Sequence, residues 1–84
     1  MNDKLLINVF VPYFGETYEF FIPYNEKVQV IVKSLMKILH DLSDGRFNIR
    51  KKYFLLNRRT GQLYTQNTVI LNSDIRSGTD LMLF

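Results

Sequence analysis

An α+β fold, a mixed sheet of four to five strands with one amphipathic helix packed across one face, is predicted by three features of the 84-residue sequence. Two early apolar runs alternate with period 2, the next run switches to period 3.6, and the chain closes on a Gly-containing turn followed by another period-2 run. With one helix to cover the strands, the simplest arrangement puts the first and last strands parallel in the middle of the sheet, with a hairpin partner outside each.

Each element follows from its own pattern. In residues 5–11, Leu5, Ile7, Val9 and Val11 alternate with Leu6, Asn8 and Phe10, and the β-branched enrichment favours a strand. Pro12 ends the run, and Tyr13, Phe14, Gly15 and Glu16 supply a turn. Tyr18, Phe20 and Ile22 then alternate with Glu19 and Phe21 as far as Pro23, completing a β-hairpin. Over residues 28–42 the period changes. At about 100° per residue, Val28, Ile31, Val32, Leu35, Ile38, Leu39 and Leu42 fall within roughly 120°, whereas Lys33, Lys37 and Asp41 point away. Asn25 or Glu26 is the expected cap region, and Gly45 suits the left-handed residue that closes a helix.

Residues 45–52 form a connector whose expected anchors into the core are Phe47 and Ile49. Residues 53–57 read as a strand, Arg58, Arg59, Thr60 and Gly61 as a turn, and residues 62–64 as a short returning strand. Two frames fit the strand, with Tyr53 and Leu55 inward or Phe54 and Leu56 inward, and the pattern does not choose between them. Residues 65–74 are polar except for Val69, Ile70 and Leu71, a loop or single helical turn pinned to the core. In residues 75–84, Ile75 is an anchor, Gly78 admits the positive φ of a tight turn, and Leu81 and Leu83 face the helix. Met82 and Phe84 therefore face the other way. This order of elements is that of a β-grasp.

Composition fits one packed domain: 46% hydrophobic, 23% charged and 14% aromatic residues. The absence of cysteine removes disulfides, thiolate nucleophiles and cysteine metal sites, and it fits a reducing compartment, so a cytoplasmic location is expected. The run 5–11, broken by Asn8, is too short for a signal peptide or a membrane span, so no membrane insertion is expected. The net charge of +3 is unevenly placed. Residues 45–73 hold Arg46, Arg50, Lys51, Lys52, Arg58 and Arg59 without one Asp or Glu.

The closing segment, from Asp74 through Ile75, Gly78, Thr79, Asp80 and Leu81 to Leu83, together with the hairpin ending at Pro23, the helix from Val28 and the turn at Gly61, resembles the ubiquitin-like superfamily across essentially the whole chain. In layout the sequence is most similar to the small bacterial YukD/EsaB proteins associated with type VII secretion systems. That resemblance implies a cytoplasmic accessory or regulatory protein that works by binding and without catalysis. The sequence departs from conjugating ubiquitins in ending at Phe84, within the last strand and with no terminal pair of glycines, so a non-conjugated protein is expected.

The chemical inventory points the same way. His40, the single histidine, falls at the solvent edge of the helix, which predicts a surface role. Asp41, Asp44, Asp74 and Asp80 fall at caps and turns, where carboxylates serve hydrogen bonding. No zinc-protease, P-loop, dinucleotide-binding or nucleophile-elbow spacing is present, so neither catalysis, cofactor nor metal is expected. The basic residues admit three readings: solubilised turns, a surface for an acidic protein, or a small nucleic-acid-binding module built on residues 46–59. Six charges shared between two turns give weak, salt-sensitive contacts, which weighs against nucleic acid.

More informative is the sheet face opposite the helix. If Leu5, Ile7, Val9, Leu81 and Leu83 face the helix, then Leu6, Phe10, Phe21, Met82 and Phe84 face outward. Apolar side chains on a single-layer sheet predict a contact with a protein partner or a second copy of the chain. Each large side chain buried there would contribute about 1.5 to 3 kcal/mol. The alternative is that the connector or the Tyr13 and Phe14 turn folds across this face.

Overall fold

The structure is a computed structural model and describes residues 3–84. Strands β1 (Lys4–Val11) and β2 (Glu16–Pro23) form the hairpin, followed by helix α1 (Val28–Leu42), strand β3 (Leu55–Asn57), a 3-10 turn at Ile70–Asn72 and strand β4 (Asp80–Leu83). The sheet order is β2-β1-β4-β3. β1 and β4 are parallel neighbours in the middle, each with an antiparallel partner outside, which is the β-grasp arrangement.

Alternation along the strands sends Ile7, Val9, Leu55, Leu81 and Leu83 to one face, where each is fully buried with Val28, Ile31, Leu35 and Leu39 of α1. The open frame of the third strand is thereby decided: Tyr53 and Leu55 point inward, and Phe54 and Leu56 outward. The central ladder is entered through the Gly78 turn. With φ +86°, Gly78 turns its N–H onto the Leu6 carbonyl at 2.7 Å, and Asn8 N–H donates to the Thr79 carbonyl at 3.0 Å. A side chain with a Cβ is rarely accommodated at that φ.

The ends of α1 are closed differently from expectation at one end and as expected at the other. Lys27, in extended conformation, is the N-cap and makes no side-chain cap bond, so the expected cap at Asn25 or Glu26 is replaced. The free N–H groups of Val28 and Gln29 donate to the Thr68 and Gln66 carbonyls, each at 2.9 Å, so a distant segment does the work of a capping side chain. At the other end, Gly45 has φ +85° and donates its N–H to the His40 carbonyl at 2.8 Å.

Several expectations are corrected. Ile38 and Leu42, placed on the apolar arc, are 47% and 60% exposed. Ile38 lies at the edge of the arc, and Leu42 is the last helical residue, beyond the final core layer made by Leu39. Ile49 is 48% exposed and anchors nothing, whereas Phe47 is fully buried. The short strand 62–64 reduces to one bridge between Leu56 and Leu63, because the segment then turns Tyr64 into the core. Regular pairing in β3 begins at Leu55, not at residue 53.

Phe47 fixes the connector on the helix side. Its ring stacks on Tyr53 at 4.8 Å and on Phe14 at 5.9 Å, with Tyr13 edge-on at 5.5 Å. Its backbone N–H donates to Ser43 Oγ at 2.7 Å, and its carbonyl accepts from His40 Nδ1 at 2.9 Å. Tyr13 Oη donates to the Arg46 carbonyl at 3.3 Å. The Phe47 part of the connector and the Tyr13 and Phe14 turn are thus packed over the helix side, and only Lys52, at the connector's end, reaches the opposite face, with its Nζ 5.6 Å from the Phe54 centroid. His40, expected at the surface, is half-buried and serves as a strut for this connector.

Candidate functional site

Strand register alone builds the outer sheet face. Phe10 on β1 lies beside Met82 on β4, and Met82 lies beside Leu56 on β3, so one apolar row crosses three strands. The ladder continues one step further. Phe54 N–H donates to the Phe84 carbonyl at 2.7 Å, Phe84 N–H donates to the Phe54 carbonyl at 3.1 Å, and the two rings lie 6.4 Å apart. Phe84 is 41% exposed, and Phe10, Phe54, Leu56 and Met82 are half-buried. These five side chains form a contiguous apolar patch.

Leu6 and Phe21, two of the residues expected on this face, are paired with each other across β1 and β2. Phe21 is 67% exposed. They do not join the patch. Between them and Phe10 runs a polar row in which Asn8 is flanked by Glu19 on β2 and Asp80 on β4, with Asn8 Nδ2 donating to Asp80 Oδ1 at 3.2 Å. Leu6 and Phe10 are four residues apart on one strand, about 13 Å. Phe54 and Leu56 are members of the patch that sequence reasoning left undecided, because an apolar residue at every position of 53–56 conceals which set faces out.

The basic residues are spread along the chain. Arg46 and Arg50 are exposed on the connector, and Lys51 and Lys52 lead into β3. Arg58 and Arg59 follow β3, about 20 Å from Lys52 by the rise of an extended chain. Three of the cations lie on aromatic rings: Lys51 Nζ is 5.5 Å from the Tyr53 centroid, Lys52 Nζ is 5.6 Å from Phe54, and the Arg58 guanidinium is 4.6 Å from Phe10. Arg58 thereby borders the apolar patch. The same contacts occupy the ring faces that an unstacked base would need.

Behind the patch, the turn after β3 is held by a buried polar chain. Asn57 Oδ1 accepts from the Arg59 and Thr60 N–H groups at 2.9 and 3.2 Å, and its Nδ2 donates to Tyr64 Oη at 3.0 Å. Tyr64 Oη donates to Asp74 Oδ1 at 2.5 Å. Burial and the Asp74 carboxylate push the Tyr64 hydroxyl from 10.0 up to about 12. This chain of bonds closes the loop between β3 and the Gly78 turn. Among the described residues no group of three or more His, Cys, Asp or Glu is placed to hold a metal ion, and no helix is long and apolar enough to cross a membrane.

No protein-family model matches the chain, and no curated protein matches it in sequence. Solved structures do match in shape. The N-terminal ubiquitin-like domain of the 4931431F19Rik protein is 20% identical, with a TM-score of 0.75, over 100% of this chain and 76% of that one. The ubiquitin-like domain of the Mycobacterium tuberculosis type VII secretion system protein EccD1 is 8% identical, with a TM-score of 0.74, over 99% and 98%. A chain of the MycP5-free ESX-5 inner membrane complex is 15% identical, with a TM-score of 0.79, over 99% of this chain and 21% of its own length. At such identities the likeness is one of fold: the chain has the ubiquitin-like β-grasp fold, shared with ubiquitin-like domains of type VII secretion components.

Proposed function

We propose that the protein is a non-catalytic, non-conjugated ubiquitin-like recognition module, cytoplasmic, and an accessory or regulatory component of a bacterial type VII secretion system. It docks a protein partner through the outer sheet face. The observation that carries this reading is the patch of Phe10, Phe54, Leu56, Met82 and Phe84, edged by Lys52 and Arg58, with Phe47 of the connector and the hairpin turn packed on the other side. A sheet that met water on this side would keep the simple inward-apolar, outward-polar alternation. The chain obeys that rule at Glu19, Asn8 and Asp80 and breaks it at the next row. The secretion assignment is supported by the fold of the EccD1 domain and of the ESX-5 complex chain.

The test is affinity capture from host extracts containing the secretion-complex membranes, with the Met82→Ser and Phe84→Ser double variant as control, and sedimentation of the purified chain to detect self-association. Capture of a secretion component by the wild type and its loss in the folded variant is the expected result. Equal capture by both removes the sheet face from the account. A concentration-dependent dimer abolished by the same variant reassigns the patch to a homodimer interface.

A further inference from the structure

A second surface lies around the corner from the sheet face, and nothing in the fold accounts for it. Helix α1 and the connector enclose an open groove of about 800 Å³, whose floor is apolar: Val32 and Met36 from the helix, Ile49 and Tyr53 from the connector and the start of the third strand segment. Four lysines line it, Lys33 and Lys37 on the helix and Lys51 and Lys52 on the opposite wall, against one carboxylate, Asp41. The groove is held open by bonds already made. His40 and Ser43 clamp Phe47, Phe47 stacks on Tyr53, and Gln66 Nε2 donates to the Tyr53 carbonyl at 3.3 Å. Ile49, which a core would have taken in, stands 48% exposed on the wall. A preformed wall lowers the ordering cost of binding.

We propose that this groove is a docking site for a short acidic segment of a partner protein, which sets apolar side chains between Met36 and Ile49 and carboxylates against the lysines. Charge complementarity selects this occupant. Lys33 and Lys37 stand one helical turn apart, about 6 Å, and the other two lysines are consecutive at the end of the connector on the facing wall. The charges therefore flank the apolar lining on both walls. A single phosphate would instead be met by converging N–H groups or a guanidinium fork, and no arginine lines the groove. A floor of aliphatic side chains and Met suits peptide side chains, with Met36 able to adapt its shape to them. The apolar lining of the groove shares no residue with the outer sheet face, which Lys52 alone also reaches, so either surface can fail as a docking site without the other.

The experiment is an NMR titration of the uniformly 15N-labelled full chain with a panel of short synthetic peptides, each carrying glutamates and two leucines at varied spacing. Saturable shifts confined to the groove are expected. Affinity should fall at least about tenfold in Ile49→Ser and in the Lys33→Glu and Lys37→Glu pair, all exposed positions where the fold is retained, and stay unchanged in the Met82→Ser and Phe84→Ser pair. Three outcomes overturn the proposal: no peptide of the panel binds; glutamate peptides with serine in place of leucine bind as well, which reveals charge attraction alone; or the groove signals respond to phosphatidylglycerol vesicles or an RNA oligomer and not to the peptides.

Discussion

The two faces of β4 differ in what they do with the same kind of residue. Leu81 and Leu83 point at α1 and are fully buried, whereas Met82, between them, and Phe84, just past the strand, point at no covering layer. The inward pair is surrounded by core side chains, so its value is stability. The outward pair is only partly covered, and in the proposed function its remaining apolar surface meets a partner. On that proposal, alternation within a single strand separates the fold from the interface. A substitution should damage one without the other, depending only on the parity of its position.

The largest effect is expected where the inward side is thickest. Phe47→Ala removes a buried ring that stacks on Tyr53 and Phe14 and should cost about 3 to 5 kcal/mol in a denaturant titration. Leu83→Ala should cost about 2 to 5 kcal/mol by the same measurement. Tyr64→Phe comes next. It deprives Asn57 and Asp74 of their hydroxyl partner and should cost about 1 to 3 kcal/mol. This variant also has a pH signature. The folded state holds the Tyr64 phenol neutral, with its titration raised from 10.0 to about 12, so the unfolded chain ionises first. The contribution is complete below pH 10.0, fades as pH rises toward about 12, and is missing from the variant, so thermal melts of the two proteins should converge across that window. Smallest is the outward side. Phe84→Ser should cost about 1 kcal/mol, well below Leu83→Ala, while removing partner capture. A loss there as large as that of Leu83→Ala would show that the face is covered in the free protein.

Long elements were legible in the sequence because their periods are strong. The hairpin alternation, the helical arc of Val28, Ile31, Val32, Leu35 and Leu39, and the Gly78 turn each place their residues without help from the rest of the chain. What stayed hidden depends on contacts between distant segments. The cap of α1 is supplied by the Thr68 and Gln66 carbonyls, which no local motif announces. Residues 53–56 carry apolar side chains on both faces, so the frame emerges only when Leu56 pairs with Met82. That same ambiguity hid Phe54 and Leu56 from the outward set, and the polar row of Glu19, Asn8 and Asp80 that sets Phe21 and Leu6 apart follows from strand order, not from composition. Phe47 and Ile49 differ by two positions in an irregular connector, where no period tells a buried anchor from an exposed groove wall.

If parity on β4 divides folding from recognition, three proteins suffice to show it. Wild type, Leu83→Ala and the Met82→Ser and Phe84→Ser pair are each measured for unfolding free energy and for capture of the partner from secretion-complex membranes, with Leu83→Ala assayed where it remains folded. Leu83→Ala is expected to lose stability and keep capture, while the outward pair keeps most of its stability and loses capture. Retained capture by the outward pair would contradict that division.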